Sequence, residues 1–309
     1  MASKIAADIL VPGEFPFHRE VVLPLRVLSG IGRFAARKPL GAFGALIIFL
    51  MILAAALTFA GFADNITGYQ YDDQVLADRF QDPSWAHKLG TDQTGRDTFS
   101  RIFHGSRVSI TIGFAAVAIS QMTAVVIGVV SGYYGGTFDF FFQRIVDLFQ
   151  AVPGLIALIF LYSVFGPSQL ILILALGLLG APGASRVIRG TVISVRQNQY
   201  VEAAVALGAS DRRILVRHIL PNIAQVIIIG ASIGIGGAIL VESTLAFLGF
   251  GLPPPFPTWG RMLNDSRQYV THPLLAIFPG VALTLTVFAF NVFGDALRDI
   301  WDPRLRGSR

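Results

Sequence analysis

Uncharged apolar runs of about 20 residues recur along this chain, and each is long enough as a helix to cross roughly 30 Å of hydrocarbon. They fall at residues 40–62, 108–130, 148–165, 170–184, 223–240 and 274–293. The first, almost wholly Leu, Ile, Ala, Phe and Gly, is the clearest. None shows the alternation of polar and apolar residues that a barrel strand needs, so the runs predict membrane helices rather than an outer-membrane barrel. With 53% hydrophobic and only 14% charged residues, and a mean hydropathy of +0.63, a bilayer is the natural solvent for the 309 residues. The expected fold class is therefore an all-α integral membrane protein with six transmembrane helices.

Six crossings place both termini on one side, and the basic residues say which. Arg33, Arg37 and Lys38 precede the first run, Arg186, Arg189, Arg196, Arg212, Arg213 and Arg217 separate the fourth from the fifth, and Arg298, Arg304, Arg306 and Arg309 follow the sixth. All three groups share a face, which the positive-inside rule assigns to the cytoplasm of a bacterial inner membrane. The opposite face carries a long loop rich in aspartate, with Asp64, Asp72, Asp73, Asp78, Asp82, Asp92 and Asp97. Residues 1–39 read as a cytoplasmic tail with a short interfacial helix at 21–36. No cleaved signal peptide is expected, because the first apolar run begins only near Leu40.

Several chemistries lack their residues. Cysteine is absent, which excludes disulfides and thiolate sites. The only lysines, Lys4, Lys38 and Lys88, are preceded by Ser3, Arg37 and His87, so no Gly-Lys phosphate-binding loop exists. The histidines, His18, His87, His104, His218 and His272, lack metal-site spacing, and no Gly-x-Ser-x-Gly elbow is present. A net charge of +5 and pI near 9.8 reflect topology rather than nucleic-acid binding, since the cations flank apolar segments. An ion-coupled carrier would need ionisable groups near the midplane, whereas Arg144, Asp147 and Glu242 fall near predicted span ends.

The most informative segment is cytoplasmic, at residues 200–221. Glu202, Ala203, Ala204, Ala206 and Leu207 are mostly strong helix formers, Gly208 can end a helix in the left-handed conformation, and Ser210, after Ala209, can cap a second helix. Helix, turn and helix would form a slim peg. Leu220-Pro221 is expected to break the chain before it re-enters the membrane. The glycines Gly230 and Gly234, at GxxxG spacing, read as ordinary helix packing rather than a dimer seam, and Pro153, Pro182 and Pro279 as bends.

Residues 202–221 resemble the EAA signature of ABC importer permeases: Glu-Ala-Ala, three residues, Gly, nine residues, then Ile-x-Leu-Pro. Glu202, Ala203, Ala204, Gly208, Leu220 and Pro221 match, while His218 replaces the Ile. Residues 87–101 and 294–304 are similar to segments of the C-type subunit in the dipeptide/oligopeptide (peptide/nickel) branch. Asp92 and Arg96 read as loop anchors, and Asp295 and Arg298 as an i,i+3 pair before the helix stop at Pro303.

The resemblance implies a type I ABC importer permease fold. Its domains would be residues 1–39 as tail, 40–106 as first span and external loop, 107–297 as permease core, and 298–309 as C-terminal tail. It implies that Glu202 to Ser210, with Leu220 and Pro221, form the ATPase-coupling element. The implied partners are a second homologous permease, two cytoplasmic ATPases that bind ATP and Mg, and an external solute-binding protein. The chain itself would hold no cofactor and catalyse nothing. Di- and oligopeptides lead as cargo, with nickel chelates, glutathione or another small solute as alternatives.

Overall fold

Helix makes up nearly all of the computed structural model, which describes residues 38–301 together with Gly32 and residues 34–36. Only one isolated bridge, Thr91 to Asp97, pairs extended backbone among the described residues. The chain divides into two units, residues 1–39 and 40–309. In the first, Gly32 and residues 34–36 are helical. The rest of the expected 21–36 helix lies outside the described residues, as do Asp302, Pro303 and Arg304.

Helix α1 spans Pro39–Phe59, with proline in its first turn, where a missing amide proton costs nothing. A short α2, Ala63–Thr67, opens the long loop. Helix α3 then runs over Thr98–Tyr134. At 37 residues, or about 55 Å, it begins ten residues before the expected second span at residues 108–130. Asp97 caps it by accepting a 2.7 Å bond from the Ser100 amide. Gly105, inside this helix, serves close packing. A Cβ there would meet the Trp259 indole nitrogen at 3.0 Å.

The third expected span is not one helix. Helix α4, Gly136–Ala151, and helix α5, Gly154–Phe165, meet at 82° across Val152 and Pro153. Proline disfavours helical geometry in the residue before it, and Val152 is indeed extended. Helix α6 covers Gln169–Arg196 and retains Pro182 in its interior. After the hairpin described below, helix α9, Leu220–Leu245, continues from a turn at residues 215–219 and into another at 246–250. A short helix α10, Trp259–Ser266, with Trp259 and Met262 in the core, precedes α11, Leu274–Trp301, which holds Pro279. Among the described residues, five helical segments are long and apolar enough to cross a membrane, six if the bent α4–α5 pair is one span.

The most extensive helix pair is α3 against α6. Gly128 and Gly132 make it possible: a Cβ on Gly128 would stand 2.7 Å from the Ser185 carbonyl oxygen, and one on Gly132 2.9 Å from that of Arg189. Lipid offers no hydrophobic drive between helices, so such backbone approach supplies the packing. Gly230 and Gly234 behave differently. Their nearest neighbours, on Gln121 and Val117, stand 3.4 and 3.5 Å from where a Cβ would be, which is ordinary contact. Glu242 sits in the last turn of α9, near the span end where it was expected. It is fully buried inside α9, accepting from the Ser243 hydroxyl at 3.2 Å.

The aspartate-rich loop is held by ionic and aromatic contacts. Asp92 is buried and accepts from the Thr94 amide (2.8 Å), the Thr94 hydroxyl (2.8 Å), the Arg96 amide (3.0 Å) and Arg96 Nε (2.7 Å). Arg101 Nε lies 3.7 Å away. Burial pushes the carboxyl up, but Arg101, Arg96 and the two amides outweigh it and hold Asp92 below its ordinary value. Nearby, His87 Nδ1 meets Asp97 at 3.0 Å and Phe80 stacks on His272 at 4.1 Å. Asp92 and Arg96 are thus anchors. Asp295 and Arg298 are both exposed, and no ion pair joins them to each other or to another of the described residues, as befits surface charges for which water competes effectively.

Candidate coupling hairpin

The segment after α6 builds the predicted peg in detail. Helix α7, Gln199–Ala206, starts where the amides of Val201 and Glu202 turn back to the Asn198 carbonyl at 2.9 and 3.2 Å. It stops through a paired C-terminal lock: the Gly208 amide donates to Val205 O at 2.9 Å and the Ala209 amide to Ala204 O at 3.0 Å. These are the 5→2 and 6→1 bonds of a Schellman motif, which requires a left-handed residue at its pivot. Gly208 supplies it with φ +76°. No atom lies within 4 Å of where its Cβ would stand, so the need for glycine is conformational rather than steric.

The hairpin presents its expected residues outward. Glu202, Ala203, Ala206, Leu207, Gly208 and Ser210 are exposed, Ala204 and Ala209 half-buried. Leu207, at 89% exposure, is a bare apolar tip. The base is fixed by Val201, buried with Ile188, Val192, Ile214, Ile219 and Ile223. Leu220 packs against that same cluster, whereas Pro221 faces outward. The structure therefore joins Glu202 to Ser210 in one projecting element and leaves Leu220 and Pro221 at its root.

Two local expectations change. Ser210 has the extended backbone of a cap before helix α8, Asp211–Ile214, yet its hydroxyl makes no capping bond. Leu220-Pro221 is not a break: helix continues from Asp211 through Pro221 and along α9, and ends only at the non-helical Gly249. A wider turn over residues 215–219 precedes the proline, with the Leu220 amide donating to Leu215 O. That i→i−5 register accommodates a residue that cannot donate. Asn222 Nδ2 donates to the His218 carbonyl at 2.6 Å. The hairpin is consequently wired to α9 by rigid helix.

Sequence reasoning missed the polar root. Tyr133, at the end of α3, donates to Asp211 at 2.8 Å, and Arg196 donates to the Tyr133 carbonyl at 2.6 Å. Arg189 Nε binds Asp139 at 2.6 Å, and Ser131 donates to the same carboxylate. Arg189 and Arg196 had counted only as topology charges. Their seven-residue spacing, two helical turns, was the one available sign that both face the same neighbours. A cleft of about 790 Å³ lies between this root and α7, touching Tyr133, Asp139, Arg196, Val201 and Glu202.

Toward the middle of the bundle lies a second concavity of about 520 Å³. It is walled by α3, α5, α6 and α9, with Gln121, Leu155, Leu179, Gly230 and Gly234 among its lining, and no charged side chain contributes. Gly230 and Gly234 therefore keep a wall open.

A protein family described as the binding-protein-dependent transport system inner membrane component matches residues 124–307, which contain both concavities' α6–α9 walls and the whole hairpin. The chain belongs to this family. It is an ABC importer permease, as the residues of the hairpin led us to expect. Among its relatives, the dipeptide transport system permease protein DppC of Alkalihalophilus pseudofirmus is 39% identical over 84% of this chain and 86% of its own length. The glutathione transport system permease protein GsiD of Pectobacterium atrosepticum is 39% identical with the same coverage. The oligopeptide transport system permease protein OppC of Bacillus subtilis is 38% identical over 89% of this chain and 88% of its own. A solved structure of the MetNI methionine ABC transporter, in an inward-facing conformation, shares the permease fold at a TM-score of 0.52. It is 18% identical, and the match covers 65% of this chain and 94% of that one.

Proposed function

We propose that this permease forms half of a pathway for di- or oligopeptides and receives its driving motion through residues 202–210. The observation that carries this reading is the hairpin itself: an exposed, glycine-locked peg continuous with a membrane helix. Residues 107–297 would form the permease core. A second, homologous permease would complete the pathway, two cytoplasmic ATPases holding ATP and Mg would grip the pegs, and an external binding protein would deliver cargo. The termini and the hairpin would be cytoplasmic, consistent with Arg212, Arg213 and Arg217 beside the peg. Hydrolysis would belong to the ATPases, leaving this chain without catalysis.

Closure of the ATPases would push α7. Because Val201 and Tyr133 tie the hairpin to α6, α9 and α3, the push would move those helices as a body rather than bend the loop. The largely apolar concavity on α3, α5, α6 and α9 would then be the pathway wall contributed by this chain. A wall without fixed charges suits peptides of varied side chains, since selection could rest with the binding protein. Glutathione, itself a peptide, is the leading alternative, supported by the equal identity to a glutathione permease.

The reading is tested by reconstituting the full transporter in vesicles and comparing radiolabelled dipeptide, oligopeptide and glutathione uptake with and without ATP. ATP-dependent dipeptide or oligopeptide uptake is expected. Uptake by this chain alone, driven by a proton gradient, would show an ion-coupled carrier instead.

A further inference from the structure

The concavity of about 520 Å³ on α3, α5, α6 and α9 has only three polar side chains in its lining: Ser120, Gln121 and Thr244. The Thr244 hydroxyl is already committed to the Leu240 carbonyl at 2.8 Å. Ser120 and Gln121 differ. Neither makes a side-chain hydrogen bond to any described residue, although Ser120 is only 8% exposed.

The two are neighbours well inside the 37-residue α3, and they look to different sides. A Cβ on Gly180 of α6 would stand 3.1 Å from the Ser120 hydroxyl, and one on Gly230 of α9 would stand 3.4 Å from the Gln121 amide nitrogen. One polar group thus faces α6 and the other α9, and a glycine leaves room beside each. An unpaired polar group in an apolar wall costs free energy. Polar side chains that serve only to hold membrane helices together recover that cost by bonding across them. These two leave their donors and acceptors turned to the concavity, whose make-up, mostly apolar with a few convergent polar groups, is that of a ligand site.

We propose that Ser120 and Gln121 hold the backbone of the cargo peptide as it passes this wall. The Gln121 side chain carries both a donor and an acceptor, so its carbonyl can accept from a peptide N–H and its amino group can donate to a peptide carbonyl. The Ser120 hydroxyl can do either at the next polar group. Every peptide carries these groups whatever its side chains. The contact therefore recognises the class of solute without selecting its sequence, and the low-dielectric surroundings strengthen it. The inference rests on the transport reading above and names the cargo contact within it.

The test uses the full reconstituted transporter with saturating, loaded binding protein. It compares ATP-driven uptake of a dipeptide with that of its ester-linked counterpart, which lacks the peptide N–H. The wild type should move the dipeptide several-fold faster, because a site built to bond an N–H discriminates against a ligand without one. Gln121→Met, which keeps the length and removes the amide, should slow the dipeptide about tenfold, the scale of a lost hydrogen bond. It should slow the ester far less, so the preference collapses, while the unfolding midpoint in detergent stays put. Ser120→Ala should narrow the preference in the same direction and serves if Gln121→Met fails to insert. Equal slowing of both cargoes would reveal a packing role and overturn the proposal, as would a wild type indifferent to the ester. A wild type that takes up no peptide at all would instead overturn the transport reading, and the proposal with it.

Discussion

Replacing Gly208 separates a conformational lock from a merely crowded contact. Its φ of +76° lies in the left-handed region, and no atom is within 4 Å of a new Cβ. Alanine should therefore cost the isolated hairpin only the backbone term, about 1–2 kcal/mol. That corresponds to a roughly 5–30-fold loss in the ratio of locked to unlocked hairpin. Asparagine, which tolerates this region better, should cost less, and β-branched valine more. The order of transport should be Gly, then Asn, then Ala, then Val, although Asn is larger than Ala. The assay is ATP-driven uptake and uptake-linked ATPase activity in vesicles, with insertion checked by protein content in the membrane. Activity that tracks side-chain volume, placing Ala above Asn, would refute the conformational argument. Wild-type activity in Gly208→Val would refute the hairpin's role altogether.

Further tests address the supports. Tyr133→Phe deletes the 2.8 Å bond to Asp211 and should loosen the hairpin by about 0.5–1.5 kcal/mol, read as faster amide hydrogen exchange in residues 199–210 while α3 stays protected. Gly128→Ala should destabilise the α3–α6 pair by about 1–3 kcal/mol through overpacking, visible as a lower midpoint in detergent unfolding. Because Asp92 is held below its ordinary carboxylate value, its contribution to the external loop should be complete above about pH 4, its unfolded range, and fade as pH falls through the depressed folded value. Loop proteolysis measured down the acid limb should show this, and Asp92→Asn should expose the loop already at neutral pH by leaving Arg96 and Arg101 uncompensated. That change should cost about 3–5 kcal/mol.

The sequence alone determined the medium, the all-helical class and the position of the hairpin. Apolar length, charge placement and the run from Glu202 to Gly208 are local properties, and local properties can be read along a chain. Gly208 was legible for the same reason, since a helix former run followed by glycine encodes its own stop. Tertiary structure decided where helices join or bend. Helix α3 begins at Thr98, before the apolar run at 108–130, and Trp259, from a distant segment, packs beside Gly105 within that extension. Pro221 stayed helical because a wider turn at residues 215–219 absorbed its missing donor. Likewise, the polar root of Tyr133, Asp139, Arg189, Arg196 and Asp211 brings together partners 50 to 78 residues apart. No spacing in the chain encodes such pairs, because they depend on the register with which α3 and α6 pack. Gly128 and Gly132 set that register by letting the two backbones touch.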